Sequence, residues 1–184
     1  IDRRLLGRRW DHLEAIEKLI QEIQPLSDVP RIARVLVDRL EMFFDAQAVS
    51  LLTPRDGAGD MVLAASTLPD PGPARLPADR VLARWLAQAP PVVPFRRLEE
   101  IAQVQRAMDL ERPALEALRA ELLVPLCQRG RGLVGLLVLG PRARGRAYGV
   151  EDRRLLSTLA SPLAAVLDNE RRYAEALRSR GDLE

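Results

Sequence analysis

The chain has 184 residues, 47 % of them apolar, with 28 Lys and Arg against 26 Asp and Glu, a formal net charge of +2 and a pI near 9.2. That length suits one domain with helical extensions and enough apolar material for one core. The basic residues do not cluster with aromatics, which disfavours nucleic-acid binding; no apolar run approaches a bilayer span; and one cysteine excludes an internal disulfide or a cysteine-based metal cluster.

Residue 1 is Ile and the first residues are charged, so the expectation is a piece of a longer cytoplasmic protein rather than a secreted one. Residues 2 to 24 read as a helix, because Leu6, Trp10, Leu13, Ile16, Ile20 and Ile23 recur at steps of three and four with charge between them. The stripe is long for simple docking, which raises a contact with a second chain as an alternative to core packing. Pro25 ends it and Ser27 or Asp28 caps the next helix, Val29 to Phe44.

Gln47 to Thr53 and Met61 to Ser66 then read as strands joined through a turn at Pro54-Arg55-Asp56-Gly57. Leu68 to Pro77 holds four prolines and a glycine and reads as a loop. Ala78 to Gln88 is a short helix stopped by Pro90 and Pro91. Val92 to Phe95 is a short strand whose flanking prolines place it at a sheet edge. Arg96 to Ala120 reads as one or two surface helices broken at Pro113.

Next come two strand-length apolar runs, Leu122 to Cys127 and Leu133 to Leu139, around the polar, glycine-bearing turn from Gln128 to Gly132. The runs are nearly continuous, so this hairpin belongs in the middle of a sheet with both faces covered. Gly135 marks a bulge or a close approach to the backbone. After a loop from Pro141 to Gly149, a long helix runs from Asp152 to about Arg178. Its heptad steps through Leu156, Leu159, Leu163, Val166, Glu170, Tyr173 and Leu177. Beyond Asp168 it has too few apolar residues for a core of its own, which points to a partner helix or to continuation into a downstream domain.

The element order describes an α+β domain: a central antiparallel sheet of about five to six strands with helices on both faces and long terminal helices. At LLVPLCQRGRGLVGLLVLGPR (122–142) and YGVEDRRLLSTLASPLAAVLDNERRY (148–173) the sequence resembles the C-terminal half of a GAF domain. The distinctive points are Pro125 before Leu126 and the helix start Glu151-Asp152; the middle, 68 to 118, fits only by element order.

The resemblance implies a GAF/PAS-like sensor module of a bacterial signalling protein such as a sensor histidine kinase. It divides the chain into an N-terminal signalling helix (1–24), a GAF domain (25–168) and a helical extension toward an output domain outside the chain (169–184). It also implies a homodimer through the terminal helices, carried by Leu6, Trp10, Leu13, Ile20, Leu163, Val166, Tyr173 and Leu177, and no membrane insertion within this segment. A small-molecule pocket is implied between sheet and middle segment, for which Trp85, Phe95 and Met108 supply apolar walls and Ser50 and Arg96 polar anchors.

No catalytic set can be assembled. His12 is the only histidine, on the first helix, and Gly130-Arg131-Gly132 lacks the spacing of a phosphate loop. Cys127 reads as an inert strand-end residue rather than a redox sensor. Bilin attachment and haem ligation, known in relatives of this family, find no matching cysteine or histidine here, so no cofactor and no metal is expected. The alternative is a ligand-free structural dimerisation module of a phosphatase, cyclase or transcription regulator, with the interior filled by its own side chains.

Overall fold

The computed structural model describes the backbone of residues 3–55 and 59–181, and within them the side chains of residue 11 and of residue 13 onward. Asp56 and Gly57 of the expected turn, and the side chains of Leu6, Trp10 and His12, lie outside the described residues.

Helix α1 spans Arg3–Ile23 and α2 spans Val29–Phe44. Asp28 caps α2: its Oδ1 accepts the Arg31 backbone N–H at 2.7 Å, and Pro30 in the first turn needs no intrahelical partner. Strand β1 (Val49–Pro54) pairs antiparallel with β2 (Met61–Ser66). A two-residue strand β3, Arg75–Leu76, follows within the stretch read as loop. Pro73 and Pro77 flank it, and lacking N–H groups they limit the pairing to Met61↔Leu76 and Val62↔Arg75.

Helix α3 is Val81–Leu86 and strand β4 is Val93–Pro94. Phe95, read as the end of that strand, instead opens helix α4 (Phe95–Glu100). Helices α5 (Ala102–Ala107) and α6 (Glu111–Ala117) complete the middle segment. There are thus three short helices where one or two were expected, and Pro113 lies inside the first turn of α6 rather than breaking it, where its missing N–H costs nothing.

Strands β5 (Leu122–Gln128) and β6 (Gly132–Leu139) form the expected hairpin, with Gly130 and Gly132 at φ 77° and 71° in its turn. A short 3-10 turn, Ala143–Gly145, leads to α7, Val150–Gly181, which starts two residues earlier than Asp152. Asp152 Oδ2 accepts the Gly149 N–H at 2.7 Å and the Arg142 guanidinium at 2.8 Å, securing that start.

The six strands form one antiparallel sheet in the order β3-β2-β1-β6-β5-β4. The β5–β6 hairpin is central and β4 is an edge, both as its prolines and apolar runs indicate. Gly135 proves to be both things at once. Leu126 pairs with Gly135 and Cys127 with Leu133, so Val134 is an extra, bulged residue. A Cβ on Gly135 would sit 3.0 Å from Leu126 Cδ1 and 3.1 Å from Leu167 Cδ1 of α7. The strand is built to let α7 lie close.

Period-two alternation divides the core. Val49, Leu51, Leu137 and Leu139 face α1, α2 and α7, against Ile23, Leu36, Leu40, Leu156, Leu159, Leu163 and Leu167. Leu52, Leu123, Leu136 and Val138 face the opposite way, under Leu82, Leu86, Leu98, Val104, Met108, Leu115 and Leu118 of the middle segment.

Candidate functional site

The sheet presents its second face to α3–α6, and the residues expected to form a pocket map onto that side. Ser50 alternates with Leu51 and is buried; its Oγ lies 2.7 Å from Ser66 Oγ, which accepts the Leu68 N–H at 3.1 Å. Each hydroxyl of this pair therefore has a partner within the fold. Met108 is fully buried in the second cluster, and Trp85 and Phe95 are half-buried against it. Arg96, at the second position of α4, is exposed. The apolar members are thus brought together, whereas Arg96 stands outside them.

Clefts lie elsewhere on the described surface. One of about 370 Å³ is a groove between α1, α2 and α7, lined by Ile16, Leu19, Leu40, Phe43, Leu155 and Leu159 and rimmed by the Glu22–Arg39 ion pair at 2.8 Å. Arg39 donates to Glu22 and holds its carboxyl below the usual carboxylate range. A second, about 530 Å³, lies under the last turns of α7, between Tyr173, Leu177 and the β1–β2 hairpin. A third, about 470 Å³, separates α6 from the proline-bearing segment around β3. A fourth, about 300 Å³, is bordered by Arg84, Arg131 and Arg171.

Of the expected helix-seam residues, Leu163 is 1 % exposed and belongs to the domain's own core, and Val166 packs against that core. Ile20 is half-buried on α1, while Leu13, Tyr173 and Leu177 are exposed. The heptad therefore changes partner along its length: its first half covers the sheet and its second half faces outward.

Two features escape single-sequence reading. Asp168, the last buried residue of α7, receives Arg131 Nε of the hairpin turn at 2.9 Å and Arg172 Nε at 3.0 Å. Glu175 holds Arg171 at 3.0 Å and Arg131 at 3.6 Å. This ionic clamp ties the hairpin to α7 where the helix leaves the sheet, and Asp168 raises the Arg131 pKa further above its usual value. The second feature is Glu111, fully buried on α6, whose steps of four and three to Leu115 and Leu118 are the one signal in the sequence that it points inward.

Cys127 is exposed, yet its sulfur lies 3.7 Å from the Ala87 carbonyl oxygen, and the desolvation there pushes the thiol pKa up, away from a reactive thiolate. Among the described residues no group of three or more His, Cys, Asp and Glu side chains is placed to hold a metal ion. No helix among them is long and apolar enough to cross a membrane.

The family model described as GAF domain matches residues 28–169. No curated protein matches the sequence. Solved structures with the same fold include the GAF domain of a phosphoenolpyruvate-protein phosphotransferase from Coxiella burnetii, 23 % identical over 89 % of this chain and 96 % of that one, with a TM-score of 0.66. A GAF domain attributed to a sensor histidine kinase from Pseudomonas syringae pv. tomato is 24 % identical over 96 % of this chain and 97 % of that one, with a TM-score of 0.60. Residues 122 to 287 of a methyl-accepting chemotaxis protein are 18 % identical, covering 84 % and 98 % of the two chains with a TM-score of 0.65. With the helix-backed six-stranded sheet and a family match over most of its length, this chain belongs to the GAF domain family.

Proposed function

We propose that this GAF domain is the regulatory sensor of a multidomain bacterial signal-transduction protein, a cytoplasmic sensor histidine kinase, and has no catalytic activity of its own. It binds a small molecule on the middle-segment face of the sheet. Two copies pair through α1 and α7, and the pair of α7 helices carries the signal toward an output domain.

The observation that carries this reading is the split character of α7. Up to Asp168 it is core; from there to Gly181 it continues as a helix that exposes Tyr173 and Leu177. Leu13, Met42 and Phe43 are likewise exposed on α1 and α2, and Phe43 lines the apolar groove. Apolar surface of this kind is suited to a partner helix. The clamp at Asp168 gives a route by which a shift of the central hairpin reaches the outgoing helix. Such a relay needs a ligand that binds two arrangements with different affinity. The neighbours from a sensor histidine kinase and a chemotaxis protein favour a signalling host.

One observation favours the second reading, a ligand-free dimerisation module: Leu52, Met108, Leu115, Leu123 and Leu136 fill the second face with their own side chains. Sedimentation of the full chain and of a form ending at Asn169, with thermal melting against a metabolite library, separates the readings. The sensor predicts a dimer weakened by truncation and a melting temperature raised by at least one compound, since ligand binding to the native state adds stability. A monomer indifferent to truncation sinks both readings; a dimer that no compound stabilises leaves the structural module.

A further inference from the structure

The cleft of about 300 Å³ lies at the end of the sheet where the β1–β2 and β5–β6 turns meet α3 and α7. Pro54, Met61 and Leu133 give it apolar walls. Three arginines from three separate elements line it: Arg84 of α3, Arg131 of the β5–β6 turn and Arg171 of α7. No Asp or Glu is among its described lining residues.

The internal contacts of these arginines leave donors over. Arg131 gives its Nε to Asp168 at 2.9 Å, and Arg171 gives its Nε to Glu175 at 3.0 Å. Glu175 lies 3.6 Å from Arg131 Nη2, a longer and looser contact. A guanidinium carries several N–H donors in a fork, so both arginines keep Nη groups for a further acceptor. Arg84 keeps its whole fork: it is exposed and has no hydrogen-bond or ion-pair partner among the described residues.

Glu175 also shows that Arg131 and Arg171 converge, because one carboxylate reaches both. That side chain is 43 % exposed, and ion pairs so exposed hold weakly. Asp168 is committed on both oxygens, to Arg131 and to Arg172. Arg84, Arg131, Arg171 and Arg172 thus outnumber the two carboxylates they meet, with an excess of two positive charges. Planar guanidinium forks match carboxylate and phosphate oxygens two at a time. A small cleft with apolar walls, spare forks and this excess suits a doubly charged anion on a short carbon chain.

We propose that this cleft binds a small organic dianion, a phosphate monoester or a dicarboxylate, held between Arg84 and the Arg131–Arg171 pair with its carbons on Met61 and Leu133. Bound there, the dianion competes with Glu175 for the two arginines. The inference goes beyond the sensor reading, which places a ligand on the middle-segment face of the sheet, and does not depend on it.

The test uses the full chain, with calorimetric titration and thermal melting against glycerol 3-phosphate and succinate. Glycerol and putrescine are the neutral and cationic counterparts, and potassium chloride is matched for ionic strength. Whichever dianion binds identifies the phosphate or the dicarboxylate source. At about a hundredfold excess over Kd it raises the melting temperature by about 5–10 °C. Arg84→Ala removes an exposed, unpaired side chain, so the variant melts within about 2 °C of the wild type while dianion affinity falls about 10- to 100-fold. Glu175→Gln removes the competing carboxylate, and affinity rises by about two- to tenfold.

The inference is overturned if neither dianion binds, if potassium chloride, glycerol or putrescine stabilises the chain as much, or if Arg84→Ala binds the dianion unchanged. Unchanged or weaker binding by Glu175→Gln overturns the part given to Arg131 and Arg171. None of these results touches the sensor reading, whose ligand is sought on the other side of α3.

Discussion

The two faces of one sheet are covered in opposite ways. One carries three long helices of 21, 16 and 32 residues; the other carries four helices of six or seven. Helix α2 has a side-chain cap at Asp28, whereas α3, α4, α5 and α6 have none. Helices so short are not stable alone and leave most of their end groups without intrahelical partners. They hold their shape through packing, and local opening is correspondingly easy. The helix-backed face is thus a frame, and the middle-segment face a surface that can rearrange at modest free-energy cost. The partnered Asp168 sits on the first and the unpartnered Glu111 on the second.

The comparison breaks most directly at matched core positions. Leu137→Ala, under the long helices, is expected to cost about 4–5 kcal/mol, and Leu98→Ala, under the short ones, about 2–3 kcal/mol, because the looser layer can collapse around the lost side chain. Equal values by urea denaturation would mean that the two layers are equally rigid. Next in size is Arg131→Ala. It removes one of the two cations on a carboxylate whose side chain is 3 % exposed, at a cost of about 1–2 kcal/mol. Hydrogen exchange should then rise in α7 from Asp168 onward and stay unchanged in α2.

Phe43→Glu alters an exposed residue of the apolar groove. It should abolish dimerisation by sedimentation while shifting monomer stability by no more than about 0.5 kcal/mol. Asp60→Asn addresses acid sensitivity. Its hydrogen bond from Arg75 and that from the Ala78 N–H hold the Asp60 carboxyl below the usual range in the folded state. Folding stability from this group is therefore full above the unfolded pKa and is lost as pH falls through the lower folded one. The variant should show a shallower loss of melting temperature below about pH 4 than the wild type. The smallest effect is at Cys127, whose raised pKa predicts alkylation by iodoacetamide at pH 8 about several-fold slower than that of a free thiol.

How much was legible in the sequence follows the same division. The stripe Ile32, Leu36, Leu40 and the runs 122–127 and 133–139 repeat at helix and strand periods over many residues, and α2, β5 and β6 formed where those periods indicated. The middle segment carries signals only a few residues long. Pro113 read as a break but fits a first turn, Phe95 read as strand but starts a helix, and Arg75–Leu76 pairs only because β2 offers an edge. Of the residues named for a pocket, Met108, Trp85 and Phe95 pack in one core cluster, whereas Arg96 is exposed.

By itself the sequence determined the frame, because hydrophobic periodicity and capping act locally and are written residue by residue: the central hairpin, the edge position of β4, the close approach at Gly135 and a helix that outlasts its core. Only the tertiary structure decided which buried charges are answered. Arg131 and Asp168 are 37 residues apart and meet across a hairpin and a helix, while Glu111 finds no partner among the described residues. Pairing of that kind depends on distances between elements, and a pattern of apolar and polar residues along the chain does not contain them.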